Sequence, residues 1–384
     1  MEVSVEDLDA IAIPPLTSLT YRLNDFRADP RWLPTERAVL TFFLEKVSQS
    51  LRSLTMSSES APSDVLRDSY WPCLRDLIMC GEAAPHLETP YVITLGNMSE
   101  LRSLKLGLTL RPGVTAPIIW PSGYDVACPW PHLQSFTICH PNLEDEVYRH
   151  LPPTLQRLLL CSYPYHRDII WEISNGICER ELQSSLLTAS EMLELLGRCQ
   201  IPDLTELAME FLADDQESDL LQFLPHAFPR LTSLAVNIYR TEDVSDDTLV
   251  PSIARDLAPL ADLTTLRMHL GLMPTLDTLI LLRQPAGINC IDTKRSPTAA
   301  EERHKAACNR AAQTFAETLA PSLRSIFLLH PARSEPHWMQ YRIIPGKRLR
   351  HKEHSRGGKS YELRMYQYAR GIIRAAVEGS DRAM

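Results

Sequence analysis

Residues 51–56 read Leu-Arg-Ser-Leu-Thr-Met, and the same motif returns as Leu-Arg-Asp-Leu-Ile-Met at residues 74–79 and Leu-Arg-Ser-Leu-Lys-Leu at residues 101–106. With conservative variants, this motif is Leu-x-x-Leu-x-Φ, where Φ is apolar. It begins at Leu16, Leu51, Leu74, Leu101, Leu133, Leu155, Leu204, Leu231, Leu263, Leu276 and Leu323. Such recurrence predicts one structural unit built many times along the chain.

Within the motif, the fourth and sixth positions alternate with polar or small residues, which is the period of a β-strand with one buried face. Leu77 and Met79 are therefore expected to point inward. The intervals from Leu51 to Leu74 and from Leu74 to Leu101 lie within the roughly 20 to 29 residues of a leucine-rich repeat. Leu276 follows Leu263 too closely for a full repeat, so it is weaker evidence for a strand.

Prolines mark the starts of many motifs, because Pro-x-Leu recurs at a matched offset. Proline lacks an N–H and fixes φ, so it suits the loop just before a strand. The prolines concerned are Pro72, Pro131, Pro153, Pro202, Pro229, Pro274 and Pro321. Helical periodicity fills several intervals between motifs, at residues 37–50, 190–198, 217–224 and 251–260.

These patterns predict an α/β leucine-rich-repeat solenoid, in which a curved parallel sheet carries helices or irregular returns on its other face. We expect an N-terminal segment at residues 1–15, the repeat domain at residues 16–330, and a C-terminal cap with a basic tail at residues 331–384. An unrelated α/β fold is the alternative, since buried parallel strands are also leucine-rich. A nucleotide-binding α/β domain would normally carry a glycine-rich turn, which this sequence lacks.

The composition of the 384-residue chain restricts the class of protein. Its formal net charge of −9 argues against a protein that mainly coats nucleic acid or anionic lipid. The first residues do not resemble a secretory signal, and no run approaches the roughly 20 apolar residues that span a bilayer. The nine cysteines form no C-x-x-C pair. We therefore expect reduced thiols, an intracellular location in the cytoplasm or nucleus, and no membrane partner.

Two segments, LPPTLQRLLL at residues 151–160 and EPHWMQYRI at residues 335–343, carry a family resemblance together with the repeated Trp/Phe-Pro-x-Leu motif. The chain resembles the leucine-rich-repeat-like portion of a large family of basidiomycete (fungal) F-box proteins. The resemblance implies a substrate receptor, whose F-box docks on a Skp-type adaptor of a cullin ubiquitin ligase while the repeats hold a target.

The sequence departs from this family at its beginning. An F-box is about 45 residues of helical sequence ahead of the repeats, whereas a repeat-like motif already begins at Leu16. No residue of the docking module can be mapped. A Skp-type adaptor is therefore expected as a partner only if an F-box is supplied upstream, and otherwise the protein is a repeat-only relative.

The third, fifth and seventh positions of the motif should lie on the outer surface of the sheet, where a protein partner could bind. The candidate contact residues are Asp76, Ile78, Lys105, Thr137, Arg157, Leu159, Glu206, Asn237, Arg267 and His269. Contiguous exposed apolar area often marks a contact surface. The alternative is that loops or the C-terminal tail cover this face.

No candidate set for catalysis or cofactor binding emerges from the spacing of the residues. Cys80, Cys139 and Cys161 share one offset in their repeats, but metal ligands must converge within about 2.3 Å of one ion, and neighbouring strands lie about 4.8 Å apart. Small semi-apolar filler is the favoured interpretation of these cysteines. We expect a non-enzymatic protein-binding scaffold without a metal or cofactor.

A basic segment at residues 347–359 stands out in this acidic chain. Its core of Lys347, Arg348, Arg350 and Lys352 resembles a nuclear-localisation signal, and it could also pair with phosphates or an acidic partner. The favoured interpretation is a solvated loop. The alternative function is a nuclear regulatory or nucleic-acid-associated protein that uses this segment, although the negative net charge of the chain argues against nucleic acid as a partner.

Overall fold

The computed structural model describes residues 14–21, 33–83, 89–111, 113–124, 126–162, 186–240, 246–271, 299–330, 337–343 and 350–352. Together they form a mixed α/β structure around a long sheet of 13 strands, an arrangement consistent with a leucine-rich-repeat-like fold.

Every repeat motif among the described residues forms a strand that starts at the third position of the motif; Leu276 lies outside these residues. The strands are β1 (Ser18–Tyr21), β2 (Ser53–Ser57), β3 (Asp76–Glu82), β4 (Ser103–Thr109), β5 (Ser135–Cys139), β6 (Arg157–Cys161), β7 (Leu187–Thr188), β8 (Glu206–Leu212), β9 (Ser233–Tyr239), β10 (Thr265–His269), β11 (Ser325–His330), β12 (His337–Arg342) and β13 (Arg350–Lys352).

The strands lie in the sheet in the order in which they occur in the sequence, except that the short β7 pairs alongside β8. From β1 to β11 the pairing is parallel and holds the motif in register, so that Leu77 lies between Leu54 and Leu104. The same alignment places Leu234 between Leu207 and Leu266. Each repeat therefore adds one strand at a fixed offset, as the periodicity predicted.

The sheet ends in two antiparallel strands that the repeat pattern did not predict. β12 pairs with β11, and β13 pairs with β12. Met339 and Tyr341 of β12 are buried at 4% and 2% exposure, so this strand covers the last repeat with its own apolar face. Both strands fall within the segment that we expected to form a C-terminal cap.

Helices occupy many of the return segments between strands, and each of the four predicted helical stretches contains a helix. The helices are α1 (Leu33–Val47), α2 (Ser63–Asp68), α3 (Tyr91–Thr94), α4 (Ala189–Gly197), α5 (Glu217–Ala227), α6 (Asp246–Leu257) and α7 (Ala299–Thr318), with a 3₁₀ turn at Glu146–Arg149. In the described parts of the chain, no helix combines the length and apolar character needed to cross a membrane.

One continuous apolar core lies between the sheet and this layer of returns. The fourth motif positions Leu54, Leu77 and Leu104 are completely or almost completely buried, and they pack in one cluster with the helical residues Leu44 and Leu221. Burial of a leucine side chain contributes roughly 1.5 to 3 kcal/mol. The inward half of each motif is thereby used for stability, and its outward half is left for other roles.

A recurring turn explains the matched offset of the prolines. The N–H of Leu133 donates to the carbonyl of Trp130 at 3.1 Å, and Leu231 donates to Phe228 at 3.2 Å. Pro131 and Pro229 thus lie at the second position of a four-residue turn, where a fixed φ near −65° is favoured. The turn delivers the chain into each new strand with the same direction.

Candidate protein-interaction surface

The third positions of the motif form a hydroxyl-rich row across the outer face of the sheet. Asp76 and Arg157 are exposed in it, and the other members are at least partly accessible. The register aligns Ser53, Asp76, Ser103, Ser135, Arg157, Glu206, Ser233, Thr265 and Ser325. The guanidinium of Arg157 lies 3.3 Å from the carboxylate of Glu206 on the neighbouring strand, so these two predicted contact residues form an exposed ion pair.

The fifth positions form a second, more apolar row beside the first. From Ile78 onwards its members are half-buried, whereas Thr55, which aligns with Ile78, is 5% exposed. The row, called here the central row, consists of Ile78, Lys105, Thr137, Leu159, Ala208, Ala235, Arg267 and Phe327. Five predicted contact residues therefore lie in one line, with neighbours about 4.8 Å apart.

The C-terminal end of the central row carries a group of cationic and aromatic side chains. The guanidinium carbon of Arg267 lies 5.4 Å from the ring centre of Phe327 and 5.0 Å from that of Trp338. Contact with two rings restrains the arginine through cation–π attraction. Neither ring was among the predicted contacts, although Phe327 occupies the fifth position of its motif and could have been found from it.

The seventh positions differ from the prediction because several of them are covered. Asn237 is only 7% exposed, so the expectation that it lies on the open surface is wrong. His269 is half-buried and makes an edge contact with Tyr239, with ring centres 5.1 Å apart. Alternation along a strand predicts the face of a side chain, but it cannot show whether a neighbouring strand end or loop covers that face.

A buried polar cluster fills this covered edge. Glu210 is 2% exposed, and its carboxylate accepts hydrogen bonds from the Tyr239 hydroxyl at 2.8 Å and the Ser162 N–H at 3.1 Å. These bonds satisfy a carboxylate that would otherwise be costly to bury. The cluster thus binds together the strand ends of three repeats rather than presenting a ligand site.

The aligned cysteines are buried rather than reactive. Cys139 pairs in register with Cys161, each is 6% exposed, and neither forms a disulfide. Burial raises the pKa of the Cys139 thiol to about 12, so the nucleophilic thiolate is scarce near neutral pH. Within the ranges that the structure describes, no group of histidine, cysteine and acidic residues is arranged to hold a metal ion.

The basic segment is only partly described. Arg350 and Lys352 belong to strand β13, where they align with Arg342 and Gln340 of β12, so this part is not the loop that we expected. Lys347 and Arg348 lie outside the described residues.

No protein-family model matches the chain, and no curated protein matches it. Among solved structures, the crystal structure of Listeria monocytogenes InlP is similar to part of it, with 17% sequence identity and a TM-score of 0.32. The match covers 59% of this chain and 51% of InlP, so the chain spans about half the length of that structure.

Proposed function

We propose that this chain is a non-enzymatic leucine-rich-repeat solenoid that captures a protein partner on the outer face of its sheet. The central row is the observation that carries the proposal. Its side chains are half-buried, aligned across successive strands and mixed in character, with Ile78 and Leu159 beside Lys105 and Arg267. A solvated face would favour charged residues throughout, whereas apolar residues flanked by charge are typical of a contact surface.

The aromatic end of the row is where we expect the strongest contacts. Arginine and tryptophan are enriched among the few interface residues that dominate binding energy. Arg267 is restrained by Phe327 and Trp338, so less side-chain entropy is lost when a partner covers it. We expect Leu159 and Ile78 to extend the contact along the sheet.

The same proposal includes a cellular location and a narrower role. The described cysteines are thiols rather than disulfides, which supports a location inside the cell, in the cytoplasm or nucleus. The ubiquitin-ligase substrate receptor implied by the family resemblance additionally requires a docking module, and copurification with a Skp-type adaptor tests for one. Without that association, the scaffold role alone remains.

Site-specific photo-crosslinking identifies the partner and tests the surface together. A photoreactive residue at Leu159 should crosslink one protein reproducibly, and the same residue at Arg255 on α6 should not. Binding of that purified protein is then measured for a double variant, Ile78→Glu with Leu159→Glu. We expect the affinity to fall at least about tenfold, because two charges enter a desolvated contact.

The matched control is Val39→Glu with Ala306→Glu, which adds the same charge on the helical returns. Val39 is 36% exposed on α1, and Ala306 is exposed on α7. This control should bind within about twofold of the original protein, since surface substitutions distant from a contact have small effects. Equal binding by the sheet-face variant, with its thermal unfolding unchanged, would rule out the proposal.

A further inference from the structure

Three exposed arginines lie side by side at the edge where the strands begin. Arg52, Arg75 and Arg102 occupy the second position of three successive motifs, just before β2, β3 and β4. The N–H of Arg75 donates to the carbonyl of Arg52, and that of Arg102 donates to the carbonyl of Arg75, each at 2.8 Å. The backbone ladder therefore holds the three residues in one row, called here the arginine edge, with a spacing of about 4.8 Å.

None of the three guanidinium groups forms an ion pair or side-chain hydrogen bond with any part of the protein that the structure describes. Asp76 and Glu100 are close in sequence, but neither makes an ion pair with these arginines. Like charges directly opposite each other on neighbouring strands are destabilising. In a chain with a net charge of −9, three adjacent and uncompensated cations thus suggest an anionic ligand.

Apart from Arg324 before β11, the same position is neutral on the strands that follow the arginine edge. Gln134 and Gln156 follow it, and then Thr205, Thr232 and Thr264. The hydroxyls of Thr232 and Thr264 donate to the carbonyl of the preceding member of the row, at 3.1 and 2.9 Å. Their side chains lie along the ladder, and the guanidinium of Arg324 donates to the Pro321 carbonyl at 2.9 Å. Among the described residues of this row, adjacent arginines without a protein partner are therefore found at Arg52, Arg75 and Arg102.

We propose that the arginine edge binds a run of aspartate or glutamate residues in the protein partner. The three cations form an exposed line about 10 Å long, which matches the length of an extended acidic segment of about four residues. A single phosphate would instead require the three cations to converge on one point. The inference rests on the proposed function and deepens it, because it specifies that the part of the partner next to the arginine edge is acidic. The overall negative charge disfavours a long polyanion such as nucleic acid, whereas a short acidic run needs to meet only this edge.

Fluorescence anisotropy with short labelled peptides tests this assignment on the full chain. The probes are a glycine–serine peptide with about four consecutive glutamates, the same peptide with glutamines, a version with one phosphoserine, and a short DNA duplex. At low ionic strength, the glutamate peptide should bind and the glutamine peptide should not. The variant Arg52→Gln, Arg75→Gln, Arg102→Gln should bind the glutamate peptide about tenfold or more weakly, with a smaller salt dependence.

A triple variant with the same change in net charge separates local from overall electrostatics. Arg149→Gln, Arg255→Gln and Arg303→Gln remove three exposed arginines from return segments, and this protein should retain the glutamate peptide within about twofold. Equal losses in both triple variants would overturn the proposal. It would also be overturned by preferential binding of the phosphoserine peptide or the DNA duplex.

The outcomes distinguish this inference from the function on which it rests. If no glutamate peptide binds while Ile78→Glu with Leu159→Glu still loses the crosslinked partner, the acidic assignment fails and the scaffold stands. If the peptide binds through the arginines but that sheet-face variant retains the partner, the sheet-face function fails instead.

Discussion

The indole N–H of Trp130 donates a hydrogen bond of 3.0 Å to the carbonyl of Leu95, at the end of helix α3. Trp71 donates a similar bond of 3.1 Å to the carbonyl of Leu66 in α2. Both tryptophans come from the sequence Trp-Pro-x-Leu, and both are almost completely buried. The shared motif therefore has a structural role, because each indole binds a helical return to the start of a strand. Trp71 binds the return just before its own strand β3, and Trp130, which precedes β5, binds the return between β3 and β4.

Substitution of Trp130 should separate the effect of this hydrogen bond from that of packing. Trp130→Phe keeps most of the ring, and we expect a loss of about 0.5 to 1.5 kcal/mol, because the Leu95 carbonyl still accepts from the Met98 N–H. Trp130→Ala should cost about 3 to 5 kcal/mol through the cavity that it creates. Urea denaturation of the three proteins measures both values. Equal stability of the original protein and Trp130→Phe would show that the hydrogen bond contributes nothing.

Asp145 should make the stability of the protein depend on pH. Its carboxylate is 1% exposed and accepts from the backbone N–H groups of Ile119, Trp120 and Val147 at 2.7, 2.9 and 3.0 Å. Burial raises the pKa of Asp145 to about 6, although these hydrogen bonds oppose the rise. The pKa in the unfolded chain is about 3.9. The folded state thus holds this proton more tightly, and the stabilisation present at low pH is lost as the pH rises through about 6.

We expect the contribution of Asp145 to fall by about 2 to 3 kcal/mol as the pH rises from about 4 to 7. Asp145→Asn cannot titrate, so it should lack this part of the pH dependence. Urea denaturation of both proteins across this pH range provides the measurement, because the remaining titrating groups are common to both and cancel in the difference. Parallel curves for the two proteins would contradict the assigned pKa.

The ion pair between Arg240 and Glu217 should be sensitive to removal of one partner. The side chain of Arg240 is 5% exposed and that of Glu217 is 15% exposed, and Arg240 also donates to the Leu270 carbonyl at 2.9 Å. Arg240→Met leaves a buried carboxylate without its cation, which should destabilise the protein by about 3 to 5 kcal/mol. Adding Glu217→Leu should recover much of this loss, because the two charges then disappear together.

A double-mutant cycle on these two positions gives the coupling energy directly. We expect a coupling of about 3 kcal/mol, at the upper end for residues in direct contact, because Glu217→Leu should destabilise the original protein but stabilise Arg240→Met. The exposed pair Arg230 and Asp203, with side-chain exposures of 66% and 56%, is the matched control and should couple by less than about 1 kcal/mol. Simple additivity at Arg240 and Glu217 would be inconsistent with a buried ion pair.

The sequence by itself determined the repeating unit. The spacing of leucines at the first, fourth and sixth positions specifies which side chains enter the core, and parallel pairing then aligns Leu54, Leu77 and Leu104 without further information. The same alternation predicted which residues face outward to form the central row. Helix α7 was missed, although Cys308, Ala311, Ala312 and Phe315 are buried at helical spacing and could have indicated it.

Only the tertiary structure decided what lies beside each outward-facing residue. Asn237 and Arg267 are both outward by alternation, yet Asn237 is buried at a covered strand end while Arg267 meets the rings of Phe327 and Trp338. The antiparallel pairing of β12 also depends on contacts that no periodicity encodes. Alternation is a local property of the backbone, whereas segments distant in the sequence decide whether an outward side chain is covered and whether its charge is paired. The row formed by Arg52, Arg75 and Arg102, without paired charges, therefore became apparent only when the strands were placed side by side.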